Sequence, residues 1–245
     1  MNKIYFPFSL LLSLLLVVGC TETEYDTGSS GLEYQPLEIG KFWEYAVDSL
    51  IIDDLGATKY FTNSFIKETI VDEIIDGSGN SKYLYEKAWK KDATDEYKVL
   101  NIFSIRVNNG SIYRNENNLE MLNIQAPIDV DQCWDGILFD QSMIQTVAGN
   151  SIEFFKSWNF KVTQEFGNST IGGVEYDRVL TVQQADDENA IERRFSQEKY
   201  QQGVGMIQRR QVIYDTQCIA ECEGDPWEDK AEVGFQSVTN LIAHN

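Results

Sequence analysis

Residues 99–113 read VLNIFSIRVNNGSIY. Val99, Asn101, Phe103, Ile105 and Val107 recur at period two, the side-chain repeat of a β-strand. Asn109-Gly110 then supplies the two residues that tolerate the left-handed backbone of a type I′ turn. Ser111-Ile112-Tyr113 follows as the return strand, so a tight antiparallel hairpin is predicted here.

The same alternation spreads outward in both directions. Upstream, Trp43, Tyr45 and Val47 share one face, as do Tyr83, Tyr85 and Trp89. Downstream, Trp158, Phe160 and Val162 mark a strand. A turn near Gly172-Gly173 precedes Val174, Tyr176, Leu180 and Val182, and an acidic turn at Asp186-Asp187-Glu188-Asn189 leads to Ile191, Arg193 and Phe195. Residues 204–214 and a last run carrying Val233, Phe235, Thr239 and Leu241 complete the set. Residues 61–75 are apolar on both faces, as in a long bulged strand or one covered on both sides. Residues 190–200 admit a strand or a helix, because Ile191 and Phe195 are four apart, and 141–150 has room for a short helix. No long amphipathic helix separates the strands, so antiparallel neighbours joined by short connections are expected rather than βαβ units. About ten strands are too many for one flat sheet to bury well. The expected class is mainly β: a curved antiparallel sheet forming a barrel or half-barrel, with a β-sandwich as the alternative.

Composition narrows the function. The 245 residues carry 20 basic and 39 acidic side chains, a formal charge of −19. Such a surface repels nucleic acid and anionic headgroups, so no nucleic-acid partner is expected. Apolar and aromatic content is ample for a packed core, and the charge decorates a folded protein. The one histidine, His244, is penultimate, which leaves almost no material for a Ser-His-Asp triad, a Cys-His pair or a histidine-rich zinc site. No phosphate-cradling loop of the Gly-x-x-x-x-Gly-Lys type occurs. Gly203-Val204-Gly205 lacks the third glycine of a dinucleotide fingerprint, and no cofactor is expected. Paired carboxylates at the roughly 5–9.5 Å of a glycosidase are available, but with 39 acids some pair always lies at that separation. Asp186-Asp187-Glu188 and the stretch 223–229 (EGDPWED) are loop-like acidic groups able to offer oxygen ligands to calcium, neither with EF-hand spacing. They read first as solvated turns.

The chain opens with Lys3 and an apolar run over residues 4–18, interrupted by Pro7, Ser9 and Ser13. That is the layout of a secretory signal, and it falls short of the about 20 apolar residues a membrane span needs. The run ends Val17-Val18-Gly19-Cys20, which resembles the lipobox of bacterial lipoproteins. The resemblance implies cleavage after Gly19 and lipidation of Cys20. Each buried acyl methylene contributes about 0.8 kcal/mol, so two or three chains would hold the protein to a membrane. Residues 21–32 (TETEYDTGSSGL) are small and polar and read as a flexible tether, and residues 34–245 as a single β-rich domain. Glu22, Glu24 and Asp26 also resemble the surface-export signal of Bacteroidota lipoproteins. Residues 34–47 (Tyr-x-Pro-Leu-x-x-Gly-x-x-Trp-x-Tyr-x-Val) and 200–205 (Tyr-x-x-Gly-Val-Gly) are similar to stretches of uncharacterised lipoproteins of that phylum. That group implies a curved antiparallel sheet or partial barrel and an outer-membrane location, on the periplasmic face or the cell surface, with no common activity. Asp48-Ser49-Leu50 resembles the O-glycosylation sequon of the same phylum, which would place a glycan on Ser49.

With Cys20 lipidated, Cys133, Cys218 and Cys222 remain, and one must stay unpaired in the monomer. A turn through Ile219-Ala220-Glu221 would bring Cys218 and Cys222 to the roughly 5.5–6 Å Cα separation of a disulfide, and this pair is preferred over a Cys133 bridge. A zinc site using Glu221 or Asp225 is the alternative. The functional expectation is a membrane-anchored, non-enzymatic binding or accessory module for a hydrophobic, glycan or protein ligand. A carboxylate-dependent glycan hydrolase and a structural envelope component are the competing classes. Should Trp89, Trp134, Trp158 and Trp227 gather on an exposed surface, carbohydrate or partner binding gains; buried, they are accounted for by packing.

Overall fold

The computed structural model describes residues 29–245 apart from 76 and 78. The signal run, Cys20 and most of the tether lie outside the described residues. Asn109 and Gly110 adopt φ of 48° and 78°, the left-handed pair a type I′ turn requires. They join strands β4 (Lys98–Asn108) and β5 (Ser111–Glu116). Around this hairpin the chain lays down β1 (Phe42–Asp53), β2 (Thr58–Ile75), β3 (Ser81–Lys90) and β6 (Leu119–Ile124). Later come β7 (Cys133–Trp134), β8 (Ile144–Val147), β9 (Asn150–Glu153), β10 (Phe160–Ile171), β11 (Val174–Glu188), β12 (Glu192–Gln201), β13 (Gly205–Asp215) and β14 (Val233–His244).

Twelve of these strands form one antiparallel sheet in the order β6-β5-β4-β3-β2-β1-β14-β13-β12-β11-β10-β7, and β8 and β9 pair separately. The expected curved antiparallel sheet is present as a half-barrel, with more strands than the ten or so counted from the alternation, and not as a two-sheet sandwich. The chain starts in the middle of the sheet at β1, meanders out to β6 and crosses to the opposite edge. It then meanders back until β14 lies against β1. Residues 61–75 fall within β2, whose register breaks between Ile70 and Asp72. The stretch left open between strand and helix is strand β12, and 141–150 carries β8 and the turn into β9 instead of a helix. Residues 186–188 are the end of β11; the turn itself begins at Asn189, whose side-chain oxygen accepts from the amides of Ile191 and Glu192.

The ladder is not closed. The crossover spans the gap all the same: β7 pairs with β10, while residues just beyond it reach β6 through a single bridge, Met121 to Ile137. Leu122 donates its amide to the Gly136 carbonyl at 2.8 Å, Leu138 donates to Glu120 at 3.1 Å, and the Trp134 indole donates to Leu122 at 2.8 Å. Edge groups that would otherwise template another chain are consumed in this way.

Two segments plug the open ends. Residues 29–41 pack over one end, with Tyr34 fully buried. The packed structure thus begins earlier than the tether boundary drawn from composition. Ser29 bridges Ile128, Ser30 caps a 3-10 turn at Gly31–Glu33, and Gly31 fits against Gly110 and Ile112. The β8–β9 hairpin and the residues after it cover the other end, where Phe154 stacks on Phe235 and the Arg194 guanidinium donates to the Glu153 carbonyl at 3.1 Å.

The stretches 34–47 and 200–205 touch in space. Trp43 and Tyr45 are buried on the core face, as their period predicts. The Trp43 indole donates to the Val204 carbonyl at 2.6 Å, and the Tyr45 hydroxyl donates to the Met206 carbonyl at 3.3 Å. Gly205 sits at φ 111°, and a Cβ there would lie 2.9 Å from the indole nitrogen. We expect Gly205→Ala to cost about 2 kcal/mol, combining backbone strain with overpacking. Urea unfolding should show a lower midpoint with an unchanged slope; an unchanged midpoint would mean Trp43 has room to move.

Candidate functional site

Along β12 the alternation runs opposite to the apolar reading: Arg194, Ser196, Glu198 and Tyr200 point into the half-barrel and are buried, while Phe195 points out. On the facing strands Glu68 and Arg114 are buried as well. Arg114 grips Glu68 with two nitrogens, at 2.8 and 3.4 Å, and reaches Glu116 at 2.8 Å. Its guanidinium lies 3.7 Å from the centre of the Phe103 ring. Lys87 and Asn101 both donate to the second oxygen of Glu116, at 2.9 and 3.1 Å. Arg209 binds Glu198 at 2.6 Å, and Glu198 also accepts from the Tyr200 hydroxyl and from Asn123. Three acids and three bases balance, as burial of charge demands.

Burial by itself would raise the pKa of Glu68, but Arg114 overrides it and holds the carboxyl below the usual range. For Glu116 burial likewise opposes ionisation, and Arg114 with Lys87 carries the carboxyl far below that range. Burial and Glu198 push the Tyr200 hydroxyl well up. Between the two clusters the free space is about 20 Å³, lined by Arg114, Asn123, Tyr200 and Arg209 among others. That is room for about one water molecule. The interior is therefore a filled core whose middle is ionic.

The outer face differs. Leu50, Ile52, Tyr214 and Ala231 form a second buried cluster beneath residues 216–232, where Trp227 of the short helix α1 (Trp227–Lys230) packs on it. In the same cover Cys218 and Cys222 are joined by a disulfide, Cα atoms 5.6 Å apart, and Cys133 is free and exposed. Beyond the edge of the cover lies an open groove of about 260 Å³ running across β2, β1, β14 and β13. One wall is Phe61, Leu50, Gln236 and Val212, which stand opposite one another in register. The other is Asn63, Asp48, Val238 and Arg210.

The remaining sequence candidates disperse. Ser49 is half-buried in mid-strand, paired with Ser237 and Thr62, and its parity places it on the core side. Asp186 and Glu188 pair with Arg193, and Asp229 pairs with Lys59. Among the described residues no three His, Cys, Asp or Glu side chains group as metal ligands. His244 is exposed at the end of β14. Trp134 and Trp158 are buried, and Trp89 and Trp227 are half-buried on separate elements, so the tryptophans form no exposed platform. The ionic interior was not anticipated; its one trace in the sequence is the polar stretch 192–199, interrupted only by Phe195, inside a strand.

The depressed carboxyls make a pH prediction. Groups whose pKa is lower in the folded state stabilise it above the unfolded value, near 4.3 for glutamate, and that stability is lost as pH falls through the folded values. The native fold should thus hold from neutral pH to about pH 4 and weaken below it. Arg114→Met leaves Glu68 buried without its partner, so the acid limb should move to higher pH and stability at pH 7 should fall by about 3–5 kcal/mol. Denaturant melts at stepped pH check this, and an unmoved acid limb would show that Glu68 is not held by Arg114.

No protein-family model matches the chain, and no curated protein matches it. Among solved structures, a crystal structure described as a "putative lipoprotein" from Parabacteroides distasonis is similar over 86% of this chain and 97% of its own. The sequence identity is 11% and the TM-score 0.42, a likeness too distant to bear on fold or function.

Proposed function

We propose that the chain is an envelope lipoprotein, exported through residues 1–19, lipidated on Cys20 and held at the outer membrane, carrying a domain that binds a partner on its outer face. The anchor is supported by the sequence Val17-Val18-Gly19-Cys20 at the end of an apolar run with one leading positive charge. The binding role is carried by one observation: the half-barrel interior is packed and ionically balanced down to about 20 Å³, while an amphipathic groove of about 260 Å³ lies open on the outside. A ligand that enters the interior would have to displace Arg114 or Arg209 from buried carboxylates, a cost of several kcal/mol. The outer groove asks for no such displacement.

The same geometry disfavours Glu68 as the acid of a two-carboxylate hydrolase. A general acid needs a carboxyl held protonated near neutral pH, and Arg114 acts in the opposite direction.

Metabolic labelling with an alkynyl fatty acid tests the anchor. The wild-type chain should take up label, partition with outer membranes and lose residues 1–19. Cys20→Ser should remain unlabelled and unprocessed. Equal labelling of the two chains would place the lipid elsewhere or remove it from the account.

A further inference from the structure

On a chain of formal charge −19, residues 82–106 carry six basic side chains against four acids. They make up β3, β4 and the connection between these strands. Lys87 and Arg106 are ion-paired, with Glu116 and Glu120; among the described residues Lys82, Lys90, Lys91 and Lys98 are not. The acids are Glu86 on β3 and Asp92, Asp95 and Glu96 in the connection, where Asp95 accepts from the Asp92 amide at 3.1 Å. The same flank exposes Val99, Leu100 and Ile102, each by about half or more. The ladder puts them there in two ways. The bulge at Leu100 turns Val99 to the outer face, opposite Ala88, while Ile102 stands outward opposite Glu86. β5 pairs with β4 only from Ser104 to Asn108, so residues 98–103 border no strand on that side.

The amino-terminal segment leaves the sheet at the end of this flank. At the tip of the β4–β5 hairpin the Gly110 carbonyl accepts from the Gly31 amide at 2.8 Å and from the Ser30 hydroxyl at 3.5 Å. Ile102 lies six residues from Asn108 along β4, about 20 Å from that tip. Residues 20–28, between Cys20 and the first described residue, span at most about 30 Å. A chain lipidated on Cys20 therefore reaches a bilayer on which this flank lies flat. There the aliphatic side chains sink to the boundary of headgroups and acyl chains, and the lysine stems run beside them to bring their ammonium groups to lipid phosphates. The net charge repels an anionic surface elsewhere, and this flank is where the repulsion is locally reversed. A protein strand added along residues 98–103 would meet a bulged edge fringed with lysines, the features that keep sheet edges from pairing.

We propose that the outer flank of β3 and β4 rests on an anionic lipid surface, with Val99, Leu100 and Ile102 at the headgroup boundary and Lys82, Lys91 and Lys98 on lipid phosphates. The inference rests on Cys20 being the anchor. The full lipidated chain in phosphatidylcholine vesicles, with and without phosphatidylglycerol, tests it. Single nitroxide labels go on Val99→Cys, Ile102→Cys, Ile144→Cys and Val174→Cys, each combined with Cys133→Ser so that one thiol is free. With phosphatidylglycerol present, the labels at 99 and 102 should lose most of their accessibility to a water-soluble nickel chelate and become more accessible to oxygen. That protection should disappear in high salt and in the triple variant Lys82→Gln, Lys91→Gln, Lys98→Gln. Labels at 144 and 174 should stay open to the chelate throughout. Circular dichroism checks that the variants, altered at exposed positions, keep the fold. If the chain floats with the vesicles while labels at 99 and 102 are as open to the chelate as those at 144 and 174, the proposal is overturned and the anchor stands. A chain that does not float with vesicles overturns both. Protection that follows the density of protein on the vesicles and not the phosphatidylglycerol assigns the flank to a second copy of the chain, and overturns the proposal as well.

Discussion

A twelve-stranded sheet that meanders without closing ends in two edges, each a row of unpaired backbone donors and acceptors. The crossover between β6 and β10 is the piece of chain that meets this constraint. Its residues 133–138 pair with β10 on one side and with β6 on the other, and Trp134 donates from within the core to the carbonyl of Leu122. Everything inside the half-barrel depends on that span. With the gap bridged, the concave face becomes an interior, and side chains that would be solvated on an open sheet have to be satisfied there.

The ionic middle of that interior follows from the same geometry. The buried aromatic and aliphatic side chains form one contiguous core cluster, and some of them, Trp43, Tyr45, Ile105, Ile112 and Met206, border the same small space as Arg114 and Arg209. Long charged side chains pair within that core. Arg114 and Arg209 cover Glu68 and Glu198, and Arg114 also stacks on Phe103. Such pairs add little net stability compared with well-packed apolar residues, but they penalise any register that separates them. In a sheet whose strands could slip by two residues and still alternate, that penalty selects the register.

A filled interior moves the functional question outward. The cover over Leu50 and Ile52 protects part of the outer face of β1 and β13, and the groove begins where the cover stops.

Much of the fold was legible in the residues themselves. The hairpin at Asn109-Gly110, the turn at Gly172-Gly173, the inward row Trp43 and Tyr45, and the long strand 61–75 all rest on local rules of period and turn chemistry that no distant contact overrides. Where local rules ran out, the structure decided otherwise. A bulge at Leu100 carries Val99 out of the inward row that Phe103 and Ile105 keep, so Val99 is 58% exposed. On β12 the buried face is Arg194, Ser196 and Glu198, because polar partners for it come from other strands: Gln184 of β11 for Ser196, and Arg209 of β13 and Asn123 of β6 for Glu198. The groove is likewise assembled from four strands that meet only in the folded sheet. By itself the sequence determined the class of fold and the motif at Cys20, since period, turn type and an apolar run ending in a small residue and cysteine are read from neighbours along the chain. Which face is buried, which charges pair and where a ligand could lie were decided only by the tertiary structure, because each depends on strands brought side by side across scores of residues.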